Sequence, residues 1–121
     1  MYIKKAFNGK KDSYKWENVG VRTYPQKELS GITRQTLVGQ EKERANFEVR
    51  YYLFEAGSKG DYARHDREYF FYILHGKGQL RINAQFVNLE PNDMVYISPN
   101  ELVQVVPQDG GSLGFLCVTT V

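Results

Sequence analysis

The sequence predicts an all-β fold built as a sandwich or barrel, and three observations carry that expectation. Short runs of β-branched and aromatic residues recur at nearly even spacing from residue 46 onward. Clusters of Gly, Pro and Asn separate them, and helical periodicity is weak throughout.

The elements follow in order. Phe47 to Phe54 reads as a strand, broken by Gly57-Ser58-Lys59-Gly60. Tyr69 to Leu74 is the strongest strand pattern in the chain and stops at Gly76-Lys77-Gly78. Gln79 to Ile82 and Gln85 to Leu89 flank Asn83-Ala84, a two-residue hairpin turn. Pro91-Asn92-Asp93 is a turn, Met94 to Ile97 a strand, and Ser98 to Glu101 another turn. Leu102 to Val106 and Leu113 to Val118 are the last two strands, joined by Gln108-Asp109-Gly110-Gly111. The first 45 residues are less regular. Val19 to Tyr24 and Ile32 to Val38 read as strands, and the polar stretch Gln40 to Ala45 as a loop or one helical turn. Residues 1–45 are therefore assigned as an N-terminal arm of extra strands within the same domain, and residues 46–121 as the barrel.

A chain of 121 residues suits one domain. At 41% hydrophobic and 14% aromatic residues, it carries enough apolar side chain for a core. No stretch approaches the roughly 18 consecutive apolar residues that cross a bilayer, so no membrane partner is expected. A net charge of +2 gives no argument for nucleic acid, and the early lysines Lys4, Lys5, Lys10, Lys11 and Lys15 read as a solvated edge. Cys117 is the single cysteine and excludes an internal disulfide. With no apolar run at the N-terminus, a cytoplasmic location is the expectation.

From Gly57 onward the chain resembles the cupins. Their first motif is Gly, five residues, His, one, His, three, Glu, six, Gly. Here Gly57 and Gly76 stand at that separation, His65 matches the second His, and Ala63 and Tyr69 occupy the places of the first His and the Glu. Asn92, Ser98, Asn100, Val103 and Pro107 occupy the marked places of the second motif, which keeps its rhythm without an identity. The resemblance spans roughly residues 46 to 118. It implies a double-stranded β-helix, the jelly-roll barrel of the cupins, and a homodimer using the N-terminal strands.

It also implies where a metal would sit. In the family three His and one Glu project inward and hold a divalent ion, because residues two apart on a strand share a face. Imidazole with carboxylate suits several divalent metals. In this chain Ala63 and Val103 offer no donor atom and Tyr69 offers only a phenol. A register used by some small cupins, with His at alternate positions, fares no better: His65 is followed by Arg67 and Tyr69. No cofactor is expected. The alternative is an irregular divalent-metal site joining His65 to Asp66 and Glu68.

The interior set is Ala63, His65, Tyr69, Phe71, Ile73, Val95, Ile97, Val103, Val105, Phe115 and Cys117. Such walls describe either a ligand pocket or a filled core. The candidate ligand-binding residues are Arg50, Ala63, His65, Tyr69, Phe71, Val103, Phe115 and Cys117, with His65 expected as the main polar group. Arg50 lies on a strand that in similar cupins sends an arginine toward the pocket, where it can grip a carboxylate or phosphate. Strand parity does not decide whether it faces in. His65 and Tyr69 are the candidate catalytic acid and base should the chain be an enzyme. Cys117 reads as a buried, inert thiol, and His75, at the end of a strand, as an exposed or capping residue. Three functions stay open: a metal-free barrel binding a small organic ligand, a metal-independent isomerase, epimerase or cyclase using His65 and Tyr69, and a dioxygenase- or lyase-type metalloenzyme with a non-standard ligand set.

Overall fold

The computed structural model describes residues 1–121. Eleven strands are present: β1 Phe7–Asn8, β2 Lys15–Trp16, β3 Ile32–Val38, β4 Phe47–Phe54, β5 Ala63–Arg64, β6 Tyr69–Gly76, β7 Gly78–Ile82, β8 Gln85–Leu89, β9 Met94–Ile97, β10 Leu102–Pro107 and β11 Leu113–Thr120. A 3-10 turn, Lys27–Leu29, and one helical turn, Gln40–Glu43 (α1), are the helical elements.

The main strands form two sheets, ordered β3-β4-β11-β6-β9 and β5-β10-β7-β8, with every pair antiparallel. They face each other across a core in which Ile73, Leu80 and Leu113 have no exposed surface and Phe115 is 2% exposed. This is the double-sheet jelly roll that the cupin resemblance implies, within the sandwich-or-barrel class that the strand spacing predicts. No helix is long and apolar enough to cross a membrane.

Turn chemistry fixes the ends of the strands. Gly76 has φ +76°, and a Cβ there would overlap the Ser112 carbonyl oxygen. Only glycine combines that conformation with so close an approach. Asn83, Asn92 and Asn100 also adopt positive φ, in the three turns that the sequence marks.

The strands of the N-terminal segment pair and pack within their own chain, whereas residues 1–6 are exposed. β3 takes the edge of the five-stranded sheet beside β4. The β1–β2 hairpin lies over the outer face of that sheet, where the Phe7 ring meets Tyr51 edge-on, centroids 5.3 Å apart. The predicted strand Val19 to Tyr24 does not form: its one bridge joins Arg22 to Arg34. A buried side chain holds the start of that segment. The Gln35 amide donates to the carbonyls of Trp16 (2.8 Å) and Val19 (3.0 Å) and accepts from the Trp16 amide (2.8 Å). Those bonds tie down Trp16 and the start of the segment at Val19 through a side chain and not through a strand ladder.

One irregularity changes which side chains point where. Gly114 pairs with His75, but Phe115 pairs with Ile73, so Leu74 is an extra residue in β6. Such a bulge reverses the alternation. Tyr69, Phe71 and Ile73 face the core, whereas His75 turns to the outer face.

Candidate ligand-binding site

Between the sheets lies a cavity of about 230 Å³, and 12 of the 17 residues around it are hydrophobic. Its position follows from strand alternation. β4 sends in Arg50, Tyr52 and Phe54, β6 sends in Tyr69 and Phe71, β11 sends in Phe115 and Cys117, and β10 contributes Val103 and Val105. Phe115 organises the rings, with centroids 4.7 Å from Phe71, 5.6 Å from Tyr52 and 5.7 Å from Phe54. These are ordinary aromatic packing distances, so the rings act as fixed walls.

The main buried polar group is Arg50, not His65. Its side chain is 13% exposed and forms an ion pair with Glu48, itself 20% exposed. Arg50 Nε donates to Glu48 Oε1 at 2.9 Å, and Nη1 donates to the Tyr52 hydroxyl at 3.1 Å. Burial opposes the Arg50 charge, but Tyr52 and Glu48 more than offset this and hold the guanidinium charged. Arg50 therefore faces the cavity with its charge largely compensated and N–H groups still free.

His65 lies at the rim and is exposed. Its ring meets Tyr69 edge-on, centroids 5.4 Å apart. Burial raises the Tyr69 phenol pKa, so it stays protonated. Burial likewise pushes the Cys117 thiol up to about 12, which makes it a poor nucleophile. Ala63 is not part of the cavity lining. It pairs with Val103 in the two-residue edge strand β5, and its single methyl stops short of the space.

The structure therefore brings Arg50, His65, Tyr69, Phe71, Val103, Phe115 and Cys117 around one cavity and leaves Ala63 outside. Tyr24, Leu29, Tyr52, Asp61 and Gln104 join them. Tyr52 shares a face of β4 with Arg50, but strand parity alone does not say which face the second sheet covers. Tyr24 and Leu29 come from the irregular segment before β3, where no periodicity marks a facing direction.

A divalent metal does not fit this donor set. The family's ligand places hold Ala63, His65, Tyr69 and Val103, which supply one imidazole and one high-pKa phenol. Glu68 turns outward to accept from the Tyr96 hydroxyl on β9. No group of three or more His, Cys, Asp or Glu side chains is placed to hold an ion.

His75 belongs to a different cluster. It is half-buried under the β1–β2 hairpin, hydrogen-bonded to the Tyr51 hydroxyl through Nε2 (2.6 Å) and stacked on Tyr14, centroids 3.6 Å apart. Its Nδ1 has no partner, and burial lowers its pKa to about 4. It is thus neither an exposed residue nor a cap.

The comparisons with known proteins agree with this architecture. The family model of the cupin domain matches residues 50–118. The chain belongs to the cupin family. Among solved structures, this cupin is similar to a cupin 2 domain-containing protein from Halorhodospira halophila, with 30% identity over 98% of this chain and 79% of that one and a TM-score of 0.70. It is also similar to a cupin 2 conserved barrel domain protein from Rhodopseudomonas palustris, with 25% identity over 98% and 81% and a TM-score of 0.82. The polyketide cyclase RemF from Streptomyces resistomycificus shares the fold, with a TM-score of 0.77 and 18% identity over 85% and 74%. No curated protein matches the chain.

Proposed function

We propose that this cupin binds a small organic molecule in its barrel cavity and does so without a resident metal. The observation that carries the reading is the cavity itself: about 230 Å³ of aromatic-walled space where the family's ligand positions hold Ala63, His65, Tyr69 and Val103. Loss of imidazoles leaves volume that the replacements do not refill. Apolar walls with few, well-placed polar groups are the usual form of a small-molecule site. The volume lies below the usual range of roughly 300–1,000 Å³, which limits the ligand to one or two rings. Elemental analysis of protein purified without added metal tests the reading, with far less than one ion per chain expected. An ion bound stoichiometrically through His65 would overturn it.

A second reading is a metal-independent isomerase, epimerase or cyclase. The edge-on contact of His65 and Tyr69 at the cavity rim favours it, because a solvent-accessible imidazole beside a protonated phenol supplies a base and an acid. His65→Ala separates the two readings. It abolishes turnover in an enzyme but leaves binding dominated by the walls and Arg50 nearly intact. We also propose a homodimer. The edge strands β8 and β9 expose Phe86, Val87, Met94 and Tyr96, and unpaired strand edges with apolar side chains are ready-made association surfaces.

A further inference from the structure

Arg22 and Arg34 face each other across the single bridge that survives of the predicted strand. The Arg22 amide donates to the Arg34 carbonyl (2.8 Å) and the Arg34 amide to the Arg22 carbonyl (2.9 Å). Residues paired this way project to the same face. The two arginine side chains thus start from the same side of the bridge, an arrangement in which like charges repel.

That face is the cavity side of the sheet, although neither arginine is among the residues that line the cavity itself. Arg34 pairs with Tyr52 on β4, and Ile32 on the same strand pairs with Phe54; Tyr52, Ile32 and Phe54 all line the cavity. Tyr24, two residues beyond Arg22, lines it as well, and the Arg22 guanidinium lies 6.0 Å from the Tyr24 ring centre. Both charges act on the Tyr24 phenol, and Arg34 acts on the Cys117 thiol inside the cavity.

Neither arginine is neutralised. The ion pairs of the protein are Arg50 with Glu48 and Lys77 with Glu90, so no carboxylate lies within pairing distance of Arg22 or Arg34. The Arg34 Nε is buried and has no hydrogen-bond partner. A buried guanidinium donor left unpaired is costly, and here no carboxylate pairs with the group. Arg50, by contrast, already has Glu48 and offers only hydrogen bonds to a neutral oxygen.

We infer that Arg22 and Arg34 form an oxyanion-binding station at the cavity mouth, so the ligand is an organic anion. Its aromatic or otherwise apolar body fills the space around Phe115, and its carboxylate or phosphate lies between the two guanidinium groups. The inference rests on the cavity reading and adds the charge and orientation of the ligand. Arginine forks suit both anions, because their paired donors match two oxygens.

The test is calorimetric titration of the full chain with 2-naphthoate and with its neutral isostere 2-naphthamide. The naphthoate is expected to bind roughly tenfold tighter or more, as charge-assisted hydrogen bonds warrant. In Arg22→Gln/Arg34→Gln the acid-to-amide affinity ratio falls to about one. 2-Naphthyl phosphate, run in parallel, identifies which oxyanion is preferred by its affinity relative to the carboxylate. Equal affinity for acid and amide overturns the station and leaves the cavity reading standing. So does an advantage that persists in the double variant with its fold intact by circular dichroism. Failure of every naphthalene to bind overturns both.

Discussion

Arg50 and Glu48, two residues apart on β4, form an ion pair on the cavity side of the five-stranded sheet. The pair explains how an arginine is tolerated beside Phe115 and Cys117. It also means that the deepest charge in the cavity is already answered before any ligand arrives.

Glu48→Gln keeps the shape and removes the negative charge. The Arg50 guanidinium then loses its charged partner, and we expect destabilisation of about 1–3 kcal/mol. Urea unfolding of the variant against the wild type measures it. An unchanged midpoint would show that the pair contributes nothing.

His75 makes stability pH-dependent. Its pKa falls from 6.5 unfolded to about 4 folded, so the unfolded chain binds a proton that the folded chain refuses. Stability is therefore full above 6.5 and declines as pH drops through the interval toward 4. For a half-buried ring, solvent screening leaves an effect of about 1–2 kcal/mol. Urea midpoints across that interval should fall in the wild type and fall less in His75→Gln. Parallel curves for the two proteins would contradict the assignment.

Gly114 sits against the same histidine. A Cβ there would overlap the His75 ring, so Gly114→Ala must displace the ring from Tyr51 and from the stack on Tyr14. Gly76→Ala is harsher, because it meets backbone at positive φ. We expect about 1–3 kcal/mol lost for Gly114→Ala and more for Gly76→Ala. Thermal unfolding ranks them, and the reverse order would count against the turn geometry.

The homodimer is checked by sedimentation velocity at micromolar concentration. Dimer mass is expected, and Tyr96→Glu or Phe86→Glu is expected to weaken the association. Monomer mass in the wild type would sink the proposal.

Much of the barrel was legible in the sequence because its strands are short, rich in β-branched and aromatic residues, and closed by Gly and Asn turns. Phe47–Phe54, Gln85–Leu89 and Met94–Ile97 form with the predicted bounds. The departures share one character: each depends on a partner distant in sequence. Val19 to Tyr24 keeps only the Arg22–Arg34 bridge, with Val19 held by the Gln35 amide. His75 turned outward because Leu74 is bulged opposite β11. Arg50 rather than His65 became the main buried polar group, since parity cannot say which face of β4 is covered by the second sheet. Ala63 fell outside the cavity because its strand is a two-residue edge. Tyr24 came to the cavity through a segment with no period to read.

The central claim is that the cavity binds an organic molecule without a metal. The most direct measurement is a calorimetric titration with 2-naphthoate in the presence of excess chelator, on the wild type and on the cavity-filling variant Val103→Trp. The account predicts saturable binding of one molecule per chain, unaffected by chelator and lost in Val103→Trp while the fold persists. Binding that requires a divalent ion, or that survives filling of the cavity, would contradict it.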